Sequence, residues 1–576
     1  KSSSPKQGSL LGAGDSVKTK ISVLEKEGEF LDFCRNIGQN PVGLIVHENK
    51  LFLIDRSGSI FKASENLFNS SQFKKFFSGK GRLFAYDAKV IAHFLRRFDI
   101  SLTGIEFDLM LASYLTAASV RDFSYIAIAS RELSKMVSQD AKDEFSHFFE
   151  IAKSLESKLS EGRLKYIFSE IEMPLIRVLA DMEERGVLLD TGFLKNLGKK
   201  VDGDISKLTE NIHGLAGEKF NISSSQQLSK ILFEKLHIKT YGLRKTEKGG
   251  VVSTRESELE KLRDTHPIIG KVLQYRELMK LKTTYVDVLP EAVSIKTGRL
   301  HTVFNQVGTS TGRLSSQNPN LQNIPIMSEY GREIRKAFVA KDGFVLASFD
   351  YSQIELRVAA HISGDKKMIQ AFKDGLDIHK MTASEVYNIP LNKVTPELRR
   401  SAKTLNFGVL YGMGPQALSE ATAMSRDEAR KFIDEYFHDF AGIREYISNI
   451  KKFAEDNGYV ETIFGRRRYI PEINSPNWQI KREAERMAVN MPIQGTATGD
   501  IIKMAMIAVD KWIQKEKLDK EARLLLQVHD ELLFEIKKEF LKKASEKIKS
   551  IMENIVKLKV PLVVEVGSGQ SWKDCK

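Results

Sequence analysis

Arg399, Lys403, Phe407 and Tyr411 stand four residues apart in the stretch Arg399-Arg400-Ser401-Ala402-Lys403-Thr404-Leu405-Asn406-Phe407-Gly408-Val409-Leu410-Tyr411-Gly412. A helix turns that spacing into one face. Each step of four turns about 400° and climbs about 6 Å, so the row drifts by about 40° per step. Two cations come first and two aromatic rings come after them, over roughly 18 Å. That order and reach suit a nucleoside triphosphate, with charge for the phosphates and a flat ring for the base. Gly408 and Gly412 weaken the C-terminal end, by roughly 1 kcal/mol for an interior Gly, and leave room for close approach. A surface helix with solvated cations would show the same spacing, so the choice depends on two other stretches, 345–357 and 525–534.

A chain of 576 residues is too long for one core, and three or four domains are expected. Its 42% apolar and 28% charged residues are those of a soluble globular protein. No apolar run has the length to span a bilayer and no apolar signal segment opens the chain, so no membrane partner is expected. The net charge of +13 points to a polyanion, although many basic proteins bind no nucleic acid. Two cysteines, Cys34 and Cys575, form neither a disulfide framework nor a metal-ligand spacing. A reducing compartment is therefore expected.

Residues 1–20, rich in Ser, Gly and Lys, read as a flexible linker. From about 21, strand-like runs such as Val42–Val46 and Leu51–Ile54 alternate with helical patterns such as 88–98, which predicts a small α/β domain. A nuclease of that class needs clustered carboxylates for two metals, yet the first 165 residues contain no Asp-x-Glu pair. Asp55, Asp87, Asp99 and Asp108 read as surface or cap residues. Residues 126–215 are mostly helical, and Asn221–Leu228 places cap residues ahead of a helix. Residues 244–250 form a basic, Gly-ending loop. The helix at 268–289 carries Arg276, Lys280 and Lys282 beside Tyr275 and Tyr285, a mix that suits either a solvated face or a DNA backbone. Thr311–Ser316 and Asn320–Pro325 are polar loop chemistry around the single cation Arg313.

Phe344–Phe349 is a short apolar run ending at Asp350, ahead of a helix predicted from Ser352 to Ile362. Ala522–Val528 and Leu532–Ile536 predict a hairpin with His529, Asp530 and Glu531 at its tip. Crowded carboxylates are costly unless a cation compensates, and Mg²⁺ takes one or two carboxylates plus substrate phosphates. Two such ions about 4 Å apart would activate a 3′-hydroxyl and neutralise a leaving pyrophosphate. The plain alternative is that Asp530 and Glu531 only make the turn.

Asp350-Tyr351-Ser352-Gln353-Ile354-Glu355-Leu356-Arg357, the 399–412 helix and Gln527-Val528-His529-Asp530-Glu531 resemble motifs A, B and C of the family A DNA polymerases, in the right order. The resemblance is to the large-fragment part of the bacterial DNA polymerase I type. It runs from about Ile171-Glu172-Met173-Pro174 to the end and includes Thr311–Ser316 and Val560–Trp572.

It implies a right-hand polymerase of palm, fingers and thumb, α/β and α+β in class, behind a degenerate ribonuclease-H-like 3′–5′ exonuclease domain. The implied division is linker 1–20, exonuclease-like domain 21–165, thumb 166–300, palm 301–370, fingers 371–499 and palm again 500–576. Asp350 and Asp530 would hold two Mg²⁺ ions, with Glu531 in support and Lys403 serving catalysis. Arg399, Lys403 and His379 would bind the triphosphate, Phe407 would stack near sugar and base, and Tyr411 would sit by the templating base. Gln353 would contact the nucleotide, and Glu355 would be the steric gate against a ribose 2′-hydroxyl. Arg313, Gln494, His529, Arg486 and Asn490 would line the minor groove of the primer–template. The implied partners are primer–template DNA and deoxynucleoside triphosphates, and the implied setting is a cytoplasmic, nucleoid-associated monomer.

Two departures carry expectations of their own. Phe84–Asp87 and Gly104–Asp108 resemble the proofreading domain, but its Asp-x-Glu motif is missing and its Tyr–Asp motif is replaced near Phe145–Phe149, so no proofreading is expected. No flap-nuclease domain precedes residue 1, so strand displacement without cleavage is expected. Gln494–Lys503 is one residue longer than the usual pattern, which would rotate the downstream helix by about 100° unless a π-bulge near Thr498-Gly499 absorbs it. Two other classes compete. An HD-type metal phosphohydrolase would use His529-Asp530 with further His ligands, and a non-catalytic DNA-binding scaffold would leave Asp350 and Asp530 without a purpose. A single-subunit RNA polymerase is disfavoured by Glu355 and Phe407.

Overall fold

A computed structural model describes residues 20–79, 82–134, 137–138, 140–240, 243–245, 252–326, 328–422 and 424–575. Residues 1–19 of the expected linker 1–20 and residues 246–250 of the expected loop 244–250 lie outside the described residues. The chain divides into two compact units. One comprises the chain up to Ala180, Gln306–Gly312 and Ile447–Thr496; the other comprises Asp181–Asn305, Arg313–Tyr446 and Ala497 onward.

In the first unit, β1 (Ile21–Leu24), β2 (Val42–His47), β3 (Lys50–Ile54), β4 (Ile60–Ala63), β5 (Leu83–Tyr86) and β6 (Ile105–Asp108) form one sheet in the order β1-β4-β3-β2-β5-β6. The predicted runs 42–46 and 51–54 are the β2–β3 hairpin, turned by Glu48 and Asn49 at positive φ, as a two-residue primed turn requires. β2, β5 and β6 run parallel, and helices come after β5 and β6 at Ala88–Arg96 and Leu109–Thr116. Asp87 and Asp108 cap those two helices through Val90 N and Leu111 N, which matches the reading of both as caps. Elsewhere in this unit Glu172 and Arg466, both fully buried, pair at 2.5 Å, and Gln306 donates to the same carboxylate at 2.8 Å.

In the second unit, β7 (Phe344–Tyr351), β8 (Ala522–Val528), β9 (Glu531–Lys537) and β10 (Val564–Gly569) form an antiparallel sheet in the order β8-β9-β7-β10. The helix predicted after Asp350 runs Ile354–Ser363. A separate apolar cluster, including Ile212, Leu228, Leu259 and Ile269, joins the long Thr191–Ala216 helix to Pro267–Leu281.

A π-helix, Gly495–Ile501, begins directly after Gln494. It covers Thr498-Gly499, where a bulge is expected, and a widened turn of this kind can absorb an added residue without rotating the helix beyond it. Among the described residues, no helix is long and apolar enough to cross a membrane.

Candidate active site

The hairpin tip is tighter than the sequence suggests. β8 ends at Val528 opposite Glu531, so His529 (φ +57°) and Asp530 alone make the turn. The β7 register sets Asp350 opposite Glu531, and Tyr351 N donates to the Asp530 carbonyl at 3.2 Å. Asp350, near the end of β7, therefore lies about one strand spacing, roughly 4.8 Å, from Glu531, and the turn residue Asp530, distant in the chain, comes directly before that partner.

Glu531, expected at the tip, belongs to β9 and is buried. One of its carboxylate oxygens accepts from Ser348 Oγ at 2.7 Å and Trp572 Nε1 at 2.8 Å. The other lies 3.9 Å from Arg335 Nη1. Arg335 is itself buried, with its guanidinium 3.9 Å over the Trp572 ring. Burial works against its charged form, while the charges of Glu531 and Asp350 favour it. The carboxylates thus rest on a buried cation that nothing in the spacing announced.

The cationic–aromatic row is a helix, Pro396–Leu410, started by Pro396 and by a Thr395 side chain that accepts from Leu398 N. The room expected at Gly408 is taken by Met413, since a Cβ there would meet its Sδ at 2.8 Å. Arg399 Nε donates to Asp377 Oδ2 at 2.6 Å. Burial opposes ionisation of Asp377, but the Arg399 bond and charge outweigh it and hold the carboxyl below its ordinary range. Lys403 is exposed. The Phe407 ring stacks on Tyr411 at 5.9 Å and lies 5.7 Å from the His379 ring.

His379 is buried, and its pKa is pushed down to about 4, first by burial and then by Arg399 and Lys403. Its tautomer is set by its neighbours. Thr382 Oγ1 donates to Asn406 Oδ1 at 2.9 Å, so the Asn406 amide nitrogen donates to His379 Nδ1 at 3.0 Å. The ring proton then sits on Nε2, a buried donor without a partner. That atom suits an anionic oxygen.

At the far end of the row, Tyr411 Oη donates to Glu355 Oε2 at 2.5 Å, and Arg313 Nη2 donates to Glu355 Oε1 at 2.5 Å. Arg313 Nε also donates to Thr498 Oγ1 at 2.5 Å. Gln353, at φ +53°, caps the Ile354–Ser363 helix, and its buried Oε1 has no partner.

The second unit therefore holds two sets of linked contacts, Asp350, Asp530 and Glu531 in one and Arg313, Glu355, Tyr411, Phe407, His379 and Arg399 in the other, with Gln353 in neither. Asp377, Asn406, Thr498 and Arg335 complete them. His529 is exposed in the turn. Arg276 donates to the Thr254 carbonyl, and Lys282 pairs with Asp287 at 2.8 Å and Asp202 at 3.2 Å, so both are engaged locally; Lys280 is exposed. Arg486, Asn490 and Gln494 lie in the first unit on the Trp478–Gln494 helix.

The DNA polymerase family A pattern matches residues 191–574, and that of the DNA polymerase I ribonuclease H-like domain matches 47–142. The chain is 48% identical over 416 residues to the thermostable DNA polymerase I of Thermus aquaticus, covering 72% of this chain and 49% of that protein. It is 40% identical over 564 residues to DNA polymerase I of Bacillus subtilis, covering 93% of this chain and 63% of that protein. It thus spans about half the length of the Thermus relative. The POL domain of Pol1 from M. smegmatis, in complex with DNA primer-template and dNTP, superimposes with a TM-score of 0.89 at 34% identity, over 96% of this chain and 100% of that one. The mixed α/β fold is the family A polymerase fold with an N-terminal ribonuclease-H-like domain of the exonuclease type, and the chain belongs to DNA polymerase family A.

Proposed function

We propose that this chain is a DNA-templated DNA polymerase that adds deoxynucleotides to a primer 3′-hydroxyl. One observation carries the reading: the end of β7 at Asp350 is bonded to the hairpin turn at Asp530, while Tyr411–Glu355 ties the cationic–aromatic helix to the helix after Asp350. Two carboxylates brought together by the sheet fit Mg²⁺, which completes its shell with substrate phosphates. Asp350 and Asp530 would hold two such ions, whose chemistry is to activate the hydroxyl and neutralise the leaving pyrophosphate.

The chain's own groups do the rest. Arg399 exchanges Asp377 for phosphate oxygens, exposed Lys403 adds a second charge, and His379 Nε2–H donates to the same group. Phe407 and Tyr411 offer flat surfaces to sugar and base. Glu355, held from two sides, occupies the space a 2′-hydroxyl would need, and Gln353 offers its unpartnered oxygen to the nucleotide. Arg313 and His529 in one unit, and Arg486, Asn490 and Gln494 in the other, are assigned to the minor groove of the primer–template. In this reading the thumb spans 166–300, the palm 301–370 and 500–576, and the fingers 371–499.

The N-terminal domain, residues 21–165, is proposed to lack proofreading activity. Its sequence has no Asp-x-Glu pair, and Asp87 and Asp108 serve as helix caps. A phosphohydrolase has little support, because His529 and Asp530 form a two-residue hairpin turn in which His529 is exposed.

Primer extension with deoxynucleotides and ribonucleotides in parallel tests the proposal. Template-dependent extension with deoxynucleotides, abolished by Asp530→Ala, is expected. Full synthesis by that variant would overturn the reading.

A further inference from the structure

The helix Trp478–Gln494 carries more than Arg486, Asn490 and Gln494. Arg482 stands four residues before Arg486 and Trp478 four before that, so the row reads Trp, Arg, Arg, Asn, Gln with no acid in it. Trp478 is 66% exposed, an unusual state for the largest apolar side chain. The Arg482 guanidinium lies over one face of the indole, 5.1 Å from the ring centroid. The surrounding backbone is pinned. Asn477 accepts from Gln479 N at 2.9 Å and Ile480 N at 3.3 Å, and the next turn is tied down by Lys481–Glu455 at 2.7 Å and Lys451–Glu485 at 2.8 Å. A rigid aromatic plate with a cation on one side and water on the other is pre-organised to receive a second flat group.

Four steps along the row climb about 24 Å and turn about 160°. Trp478 therefore stands at the opposite end of the helix from Gln494, away from the groove assigned to that residue. A duplex buries its base faces and offers an exposed ring no stacking partner, whereas an unpaired strand offers one at every nucleotide. Its phosphates complement the two arginines beside the ring.

We propose that Trp478 and Arg482 form a stacking platform for the unpaired template strand ahead of the primer–template duplex. Trp478 stacks a base on its open face, and Arg482 holds the ring and neutralises the adjoining phosphate. The inference rests on the polymerase reading, which supplies the template.

Intrinsic fluorescence tests it directly, because the chain has only three tryptophans, and of the other two Trp572 is buried and Trp512 half-buried. The protein is titrated with primer–templates of one duplex length and template overhangs of one, four and eight nucleotides. Quenching is expected with the longer overhangs, absent with one nucleotide, and lost in Trp478→Phe. Trp478→Ala should weaken binding to the eight-nucleotide overhang about tenfold, the scale of one lost base–aromatic stack, and leave the one-nucleotide overhang unchanged. Quenching independent of overhang length, or an equal loss of affinity for both substrates, would overturn the platform. Extension of the one-nucleotide substrate is measured in the same samples. Its absence from the wild type removes the polymerase reading, while the quenching series still reports on Trp478.

Discussion

Tyr411 donates its hydroxyl proton to Glu355 at 2.5 Å, joining the last turn of the cationic–aromatic helix to the first turn of the helix behind Asp350. Arg313 holds the other oxygen of the same carboxylate at 2.5 Å, so the Glu355 side chain is fixed by two independent donors. A carboxylate fixed this way can exclude a hydroxyl group, because moving aside breaks two charge-assisted bonds.

Glu355→Ala should raise ribonucleotide use at least about tenfold, the effect of roughly 1.4 kcal/mol of lost discrimination, read as the ratio of kcat/KM for ribo- and deoxynucleotides. Tyr411→Phe, which removes one of the two donors, should give a smaller change in the same direction. An unchanged ratio in Glu355→Ala removes the gate assignment.

Asp350→Ala and Asp530→Ala should each lower single-turnover extension by at least about a thousandfold, since charge stabilisation of several kcal/mol is lost with a metal ligand. Primer–template affinity measured without nucleotide should change little. Both side chains are partly exposed, so Asp530→Ala should hold its melting temperature, which separates chemistry from folding, while Asp350→Ala, which removes a charge that favours buried Arg335, should lower it slightly.

Much of this site was legible in the sequence alone. A spacing of four declared the helix and its chemical face, and the apolar runs around Asp350 and His529-Asp530 declared strand ends and a hairpin. Side-chain partners were not legible, because they depend on register. Glu531 moves from tip to wall when the turn closes on two residues, and then Ser348, Trp572 and Arg335 converge on it from across the sheet. Met413 fills the space beside Gly408 because the chain folds back after the helix. Asp377, two residues before His379, carried no signal of its own in the sequence, although it holds Arg399. The N-terminal domain was readable for the opposite reason: its strands are short and apolar, and each turn or cap residue sits next to the element it ends.

Glu531 and Arg335 make a double-mutant test of the wall behind the carboxylates. Glu531→Gln keeps an acceptor for Ser348 and Trp572 but leaves a buried guanidinium without its counter-charge, which costs about 3 kcal/mol or more. Denaturant unfolding should show that loss, and Arg335→Met on top of it should recover part of it. Additive losses would mean the two charges do not interact.

Proofreading should be absent. Asp108 accepts from Ala88 N at 2.6 Å and Leu111 N at 2.9 Å, and burial followed by the charge of Asp87 pushes its carboxyl up to about 7. Such a group holds two helix starts and is poorly placed to serve an ion. A 3′-mismatched primer incubated with Mg²⁺ and no nucleotide should keep its length, and steady shortening that is lost in Asp87→Ala would refute this.

His379 gives the site a pH signature. Its folded pKa of about 4 lies below the ordinary 6.5, so the unfolded chain takes up the proton more readily. The stability it contributes is complete above about 6.5 and is lost as pH falls toward 4. Comparing denaturant unfolding of wild type and His379→Gln at pH 7.5 and 5 should show the wild type losing more on acidification. Nδ1 is the only ring nitrogen left to protonate, and it faces the amide hydrogens of Asn406, which Thr382 holds in place, so a triphosphate at Nε2–H meets a neutral donor. Nucleotide affinity, corrected for the triphosphate's own ionisation, should therefore change alike in wild type and His379→Gln between pH 7.5 and 6. A rise confined to the wild type would show that the ring charges on binding.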